Sequence, residues 1–155
     1  MFSQNDLEKM RKETLNFFKN MTFEVSVEFS PQKDLTLPIN LKTEEPQILI
    51  GERGQTLAEI QHLLKAVLKR KLGIGELFYI DLDINDYKKK KNEYLKELAR
   101  SAADDVTLTK KEKILAPMPA YERRIIHLEL ADRTDVTTES IGQGPERRVA
   151  VRLRP

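Results

Sequence analysis

The 155-residue chain contains no cysteine and no tryptophan. Without cysteine there is no disulfide framework, no thiolate metal site and no cysteine nucleophile. That composition fits the cytoplasm. No run approaches the roughly 18 consecutive apolar residues of a membrane helix, so no membrane insertion is expected. The first twenty residues mix acidic and basic side chains and do not read as a signal peptide. Two histidines among scattered carboxylates offer no convincing metal cluster, and no cofactor is expected. Ser140 lies near a Gly-rich turn, but no motif pairs it with an activating base. The chain therefore reads as a binding protein and not an enzyme. Aromatic residues are only 6% of the chain, which argues against a base-stacking platform. Tyr79, Tyr87, Tyr94 and Tyr121 read mostly as core.

What is present is charge, and it is unevenly spread. Residues 1–83 carry 11 Lys/Arg against 13 Asp/Glu, whereas residues 84–155 carry 16 against 12. The basic excess thus lies in the C-terminal half, a modest footprint for a polyanion. Hydrophobic residues are 39% of the chain and recur at regular spacing, so a core can form.

The spacing predicts a helix over 4–19, with Leu7, Met10, Leu15 and Phe18 near one face. A period-two strand is expected over Thr22–Phe29. A weaker strand covers Leu35–Leu41, where Pro38 marks an edge or a break. Ile48-Leu49-Ile50 is too short to assign by periodicity. A strong helix runs from about Thr56 to Lys71, with Thr56 and Glu59 in a capping-box pattern, then a strand over Leu77–Ile84. The second half reads as a long helix over 86–106 with Tyr87, Tyr94, Leu95, Leu98, Ala102 and Val106 inward. A loop with a short strand near Lys113–Leu115 comes next. A helix over Ala120–Leu130 follows, begun by Pro117 and Pro119. The chain ends in a hairpin of Val136–Ile141 and Arg147–Leu153. The expected fold class is α+β, with domains at 1–84 and 85–155.

Gly51-Glu52-Arg53-Gly54 opens the strong helix. Two glycines let the backbone approach a phosphate closely. A helix start offers unpaired N–H groups and a positive dipole end, and Arg53 adds a charged donor. Such a loop by itself is more often a plain tight turn. Here it follows a strand pair and Ile-Leu-Ile, and it resembles the KH domain in its bacterial arrangement, α-β-β-α-α-β. The resemblance implies a GxxG loop that clamps single-stranded nucleic acid and a short helix before that loop. Position 52 is Glu where the family often has a basic residue, which weakens phosphate attraction.

In Tyr121-Glu122-Arg123-Arg124-Ile125-Ile126-His127, Arg123 and His127 stand one helical turn apart, so their side chains stack on one face. An arginine fork and an imidazole can grip one phosphate together, more strongly once the histidine is protonated. The blander reading is a surface arginine beside a half-buried histidine. The segment Ala116–His127 and the hairpin through Thr138, Ser140, Gly142, Gly144, Arg147 and Arg148 resemble the R-3-H domain (Arg, three residues, His), which implies a small single-stranded nucleic-acid-binding module.

On the last strand, alternation puts Arg148, Arg152 and Arg154 opposite Val149, Val151 and Leu153. This is either a solvated face or a phosphate-tracking stripe near Arg123 and His127. Lys88–Lys91 spread around a helix and read as a solvated start.

KH followed by R-3-H resembles the bacterial Jag (SpoIIIJ-associated protein) family. Its members commonly carry a further N-terminal Jag domain, which this chain is expected to lack. The resemblance implies an RNA-binding regulator linked to cell division or elongation. It also implies a partner, either a second copy or a small KH protein. Gly51, Glu52, Arg53 and Gly54 would form one RNA site. Arg123, Arg124, His127, Arg147, Arg148 and Arg152 would form the other. Single-stranded DNA is the alternative ligand. A protein-interaction scaffold with a silent loop is the competing class, favoured by Glu52.

Overall fold

A computed structural model describes residues 1–155, which divide into two compact units, 1–88 and 89–155. The class is α+β, with one three-stranded sheet in each unit.

The first unit runs α1 (Gln4–Asn20), β1 (Ser26–Phe29), β2 (Thr36–Lys42), α2 (Pro46–Ile50), a 3-10 turn (Glu52–Gly54), α3 (Gln55–Leu72) and β3 (Tyr79–Ile84). β2 is the middle strand, antiparallel to β1 and parallel to β3. Alternation aims Val27, Leu37, Ile39, Leu41, Ile80, Leu82 and Ile84 at one face of the sheet. Met10 and Phe18 of α1 and Leu57, Ile60, Leu64 and Leu68 of α3 complete that core. Ser3 caps α1 reciprocally: its hydroxyl accepts from Asp6 N at 3.1 Å, and the Asp6 carboxylate accepts from Ser3 N at 3.0 Å. Leu15 lies off the line of Met10, Thr14 and Phe18 and is exposed.

Three local expectations are corrected here. The first strand begins at Ser26, not Thr22. Thr22 takes φ 68°, and Phe23 N donates back to Phe18 O, so those residues close the helix. The capping box at Thr56 and Glu59 does not form. Gly54 occupies the cap with no side-chain bond, and Thr56 packs against Gly51 instead. Pro38 lies in the central strand, yet breaks nothing. The β1 pairing starts at Phe29↔Ile39, so the proline sits just beyond it with no ladder bond to supply on that side. The free edge of β3 is covered in part by α3, whose Gln61 Oε1 accepts from Leu82 N at 2.8 Å.

α4 (Tyr87–Thr109) begins in the first unit with Tyr87 and Lys88, and the second unit continues through the rest of α4, β4 (Lys113–Ile114), α5 (Ala120–Leu130), β5 (Val136–Ile141) and β6 (Arg148–Leu153). The strands lie in the order β4-β6-β5, all antiparallel. Ala99, Ala102 and Ala103 let α4 approach closely, and Leu95, Val106, Leu115, Ile126, Leu130, Val136, Val149 and Val151 fill the core. α4 runs past the expected end at Val106. Thr107 is held by hydrogen bonds to Ala103 O and to Asp135 Oδ2, and Lys110, at φ 60°, terminates the helix. Arg133 clasps Asp135 and Asp104, tying the start of β5 to α4. That arginine and Thr107 hold the Asp135 carboxyl far below the ordinary range. No helix is long and apolar enough to cross a membrane.

The tyrosines are the larger correction. Tyr87 is half-buried against the first core, but Tyr79, Tyr94 and Tyr121 are all exposed. Tyr79 lies on the face of β3 opposite Ile80 and Leu82, and Tyr94 and Tyr121 flank the buried stripes of α4 and α5, so all three stay outside the cores.

Candidate nucleic-acid interface

In the first unit the loop Gly51–Gly54 joins α2 to α3. Gly51, Arg53 and Gly54 all have positive φ, at 72°, 54° and 78°. L residues rarely adopt that region, so the turn itself requires glycine at its two ends. A Cβ on Gly51 would lie 2.1 Å from Thr56 Oγ1, and one on Gly54 would meet the Tyr87 ring at 3.1 Å. The loop is thus packed tightly from behind. In front, Glu52 and Arg53 are exposed, and Arg53 makes no ion pair. Ile48 of α2 is exposed beside them. The turn leaves the start of α3 without a side-chain cap, so its first N–H groups are available to an anion.

In the second unit α5 carries the Arg-x-x-x-His pair. Arg123 is half-buried, and its Nη1 donates to Met118 O at 3.3 Å while its Nε has no partner. Both ring nitrogens of His127 are engaged, Nδ1 with Thr138 Oγ1 at 2.7 Å and Nε2 with Ser140 Oγ at 2.8 Å. Burial, then the Arg123 charge, lowers the His127 pKa from its ordinary 6.5. A neutral ring donates to one hydroxyl and accepts from the other. The histidine therefore fixes the β5 side chains beside Arg123 and does not wait as a second cation. Thr138 and Ser140, which the R-3-H resemblance included without a role, are part of this arrangement, and Ser140, which no motif paired with a base, in fact meets His127.

Arg124 is exposed and makes neither an ion pair nor a hydrogen bond. Arg147 donates to Gly142 O at 2.8 Å, across the hairpin turn. Its carbonyl accepts from Met118 N at 3.1 Å, so Arg123 and Arg147 meet the same short segment before α5.

Arg148 and Arg152 do not join them. Opposite residues of an antiparallel pair share a face. Thr138 and Ser140 face α5, so their partners Val151 and Val149 do too. Arg148 and Arg152 pair with Ile141 and Thr137 and occupy the other face of the sheet. These two arginines are also neutralised. Arg152 is held by Glu112 at 2.6 Å and by a close contact with Glu139, and Arg148 by Glu146 at 2.7 Å. The arrangement can therefore offer two phosphate-sized sites, a backbone loop in the first unit and an arginine-lined helix face in the second.

Residues 93–153 match the R-3-H domain family. The chain is 37% identical over 135 residues to the RNA-binding protein KhpB of Clostridium symbiosum, covering 87% of this chain and 60% of that protein. It is 38% identical over 116 residues to the RNA-binding protein KhpB of Lactiplantibacillus plantarum, covering 75% and 35%. Against the Bacillus subtilis protein of the same name it is 36% identical over 118 residues, covering 75% and 56%. The chain therefore spans less than two thirds of each of these relatives.

Proposed function

The chain carries an R-3-H domain and belongs to the Jag family, and from that premise we propose that it is a cytoplasmic RNA-binding regulator. It would hold single-stranded RNA at two places. Gly51, Arg53 and Gly54 form a KH-like clamp on the backbone. Arg123, Arg124 and Arg147 take further phosphates on the second unit, with His127 as the positioning residue. Binding, not catalysis, is its work.

The observation that carries this reading is the sorting of the arginines. Among the candidate-site arginines, Arg53, Arg123, Arg124 and Arg147 have no carboxylate partner whereas Arg148 and Arg152 are paired; elsewhere Arg100 and Arg133 are paired, and Arg11, Arg70 and Arg154 are not. Charge left unpaired on a folded surface is charge available to a polyanion. Glu52, exposed in the loop, reduces the attraction there and shifts weight to the second unit.

The test is fluorescence anisotropy with a labelled single-stranded RNA across a salt series, on the wild type, Arg53→Asp and Arg124→Ala. The logarithm of the affinity should fall linearly with log salt, by roughly 0.7 in slope per phosphate contacted. Each substitution should weaken binding, and Arg124→Ala should flatten the slope. Absence of binding at low salt would overturn the reading and favour a protein-interaction scaffold.

A further inference from the structure

The second unit contains only two aromatic residues, Tyr94 and Tyr121, and it places neither in its core. Their exposures are 58% and 54%. They are not stray. The Tyr121 hydroxyl donates to Glu122 Oε1 at 3.1 Å. Lys91 Nζ lies 3.7 Å from the same oxygen and 5.6 Å from the centre of the Tyr94 ring. Glu122 itself is only 3% exposed. One buried carboxylate and one lysine thus hold the surroundings of both rings, while both tyrosines remain largely in solvent.

The geometry of α5 links this pair to the arginines. At ~100° per residue, the buried line is Glu122, Ile126 and Leu130. Arg123 and His127 lie on one flank of it. The exposed arc then passes through Arg124 and Leu128 to Tyr121 on the far flank. An unpaired arginine therefore lies on the arc between the Arg123 side and the Tyr121 ring. A ligand crossing this face meets positive charge first and then flat aromatic surface. Planar bases strung on an anionic backbone have that same order of chemistry.

We propose that Tyr94 and Tyr121 form a base-stacking platform for the single strand whose phosphates lie on Arg123 and Arg124. The inference rests on the RNA-binding reading above and extends it from backbone to base. It also reverses the expectation that a chain so poor in aromatics does not stack bases. The count is low, but Tyr94 and Tyr121 border one shared pair, Lys91 with Glu122. Bases of any identity have a π-face, so the platform adds affinity with little sequence preference.

The experiment uses the full chain and a short labelled single-stranded RNA, with the same strand carrying abasic positions as the second probe. Tyr94→Leu and Tyr121→Leu should each weaken binding to the intact strand by roughly tenfold, and the phenylalanine variants should bind as the wild type does. On the abasic strand the leucine variants and the wild type should bind alike. The salt slope should be unchanged by the tyrosine substitutions and reduced by Arg124→Ala. Thermal midpoints monitor folding, and Tyr94→Leu leaves the hydroxyl bond to Glu122 intact if Tyr121→Leu unfolds. If the wild type binds RNA and Arg124→Ala reduces the slope, but Tyr94→Leu binds normally, stacking is refuted and the RNA-binding reading stands. Equal losses on intact and abasic strands would refute it as well. If the wild type binds no RNA, both readings fall, and a tyrosine-dependent protein partner would then replace them.

Discussion

The two candidate sites are built from different material. The first unit presents backbone, a turn whose three positive φ angles fix its shape and whose rear is filled by Thr56 and Tyr87. The second unit presents side chains on a helix, and there the surrounding acids decide which cations remain available. On α5 neither arginine makes an ion pair with a carboxylate. On β6, Arg148 and Arg152 are neutralised by Glu146, Glu112 and Glu139. A basic residue count would treat all of these as equal. The register and the acidic neighbours show that they are not, because a paired arginine must break its ion pair before it can serve a phosphate.

The largest expected effect is on the backbone-built site. Gly51→Ala places a Cβ 2.1 Å from Thr56 Oγ1 at a φ of 72°. The strain and clash should cost about 1–3 kcal/mol of stability, read as a lowered urea midpoint, and should disrupt the loop. Gly144→Ala is the control, since nothing lies within 4 Å of its added Cβ and only the φ of 53° opposes it. Equal losses at the two positions would mean that the close packing behind the loop contributes nothing.

On the side-chain-built site the comparison predicts that function and stability separate. Arg123→Met keeps the apolar stem but removes a guanidinium whose buried Nε is unsatisfied. The thermal midpoint should hold or rise. RNA affinity should fall by about 1.5–3 kcal/mol, the usual worth of a charged hydrogen bond. A parallel loss of both would assign Arg123 to the fold alone.

His127 gives the same site a pH signature. Its folded pKa lies below 6.5 because burial and Arg123 disfavour the cation. The contribution is fully present above about pH 6.5 and is lost as pH falls through the folded value. Thermal midpoints should therefore decline below neutrality, and His127→Gln should remove that part of the decline. The Asp135 carboxyl, also lowered, acts in a separate window below its ordinary 3.8. A decline unchanged in His127→Gln would place its origin elsewhere.

Sequence reasoning reached the elements of the second unit with little loss. Prolines at 117 and 119 and clean alternation fixed α5 at Ala120–Leu130 and β5 at Val136–Ile141. In the first unit periodicity left residues 48–50 unassigned, and only the KH resemblance implied the short helix that the structure has there. What sequence reasoning missed depends on contacts between distant residues. Thr56 looks like a cap because its local pattern is right, but a packed glycine turn occupies the helix start. Arg152 looks like part of a stripe because its acid Glu112 lies 40 residues away in sequence. Tyr94 and Tyr121 sit at the margin of apolar stripes, and only the fold decides which side of the margin is solvent.

The smallest expected effect is the sharpest check on the comparison. Arg152 is already chelated by Glu112 and Glu139, and that pairing raises its pKa. Its charge is therefore cancelled locally, and it faces away from α5. Arg152→Ala should leave both RNA affinity and salt slope as in the wild type. It should lower the thermal midpoint only slightly, since exposed pairs contribute little and are screened by salt. Glu112→Gln with Glu139→Gln performs the converse operation. It frees the arginine on the same face, so non-specific RNA affinity at low salt should rise. If Arg152→Ala instead weakens RNA binding as Arg124→Ala does, carboxylate pairing does not sort the arginines. The strand would then have to reach both faces of the sheet.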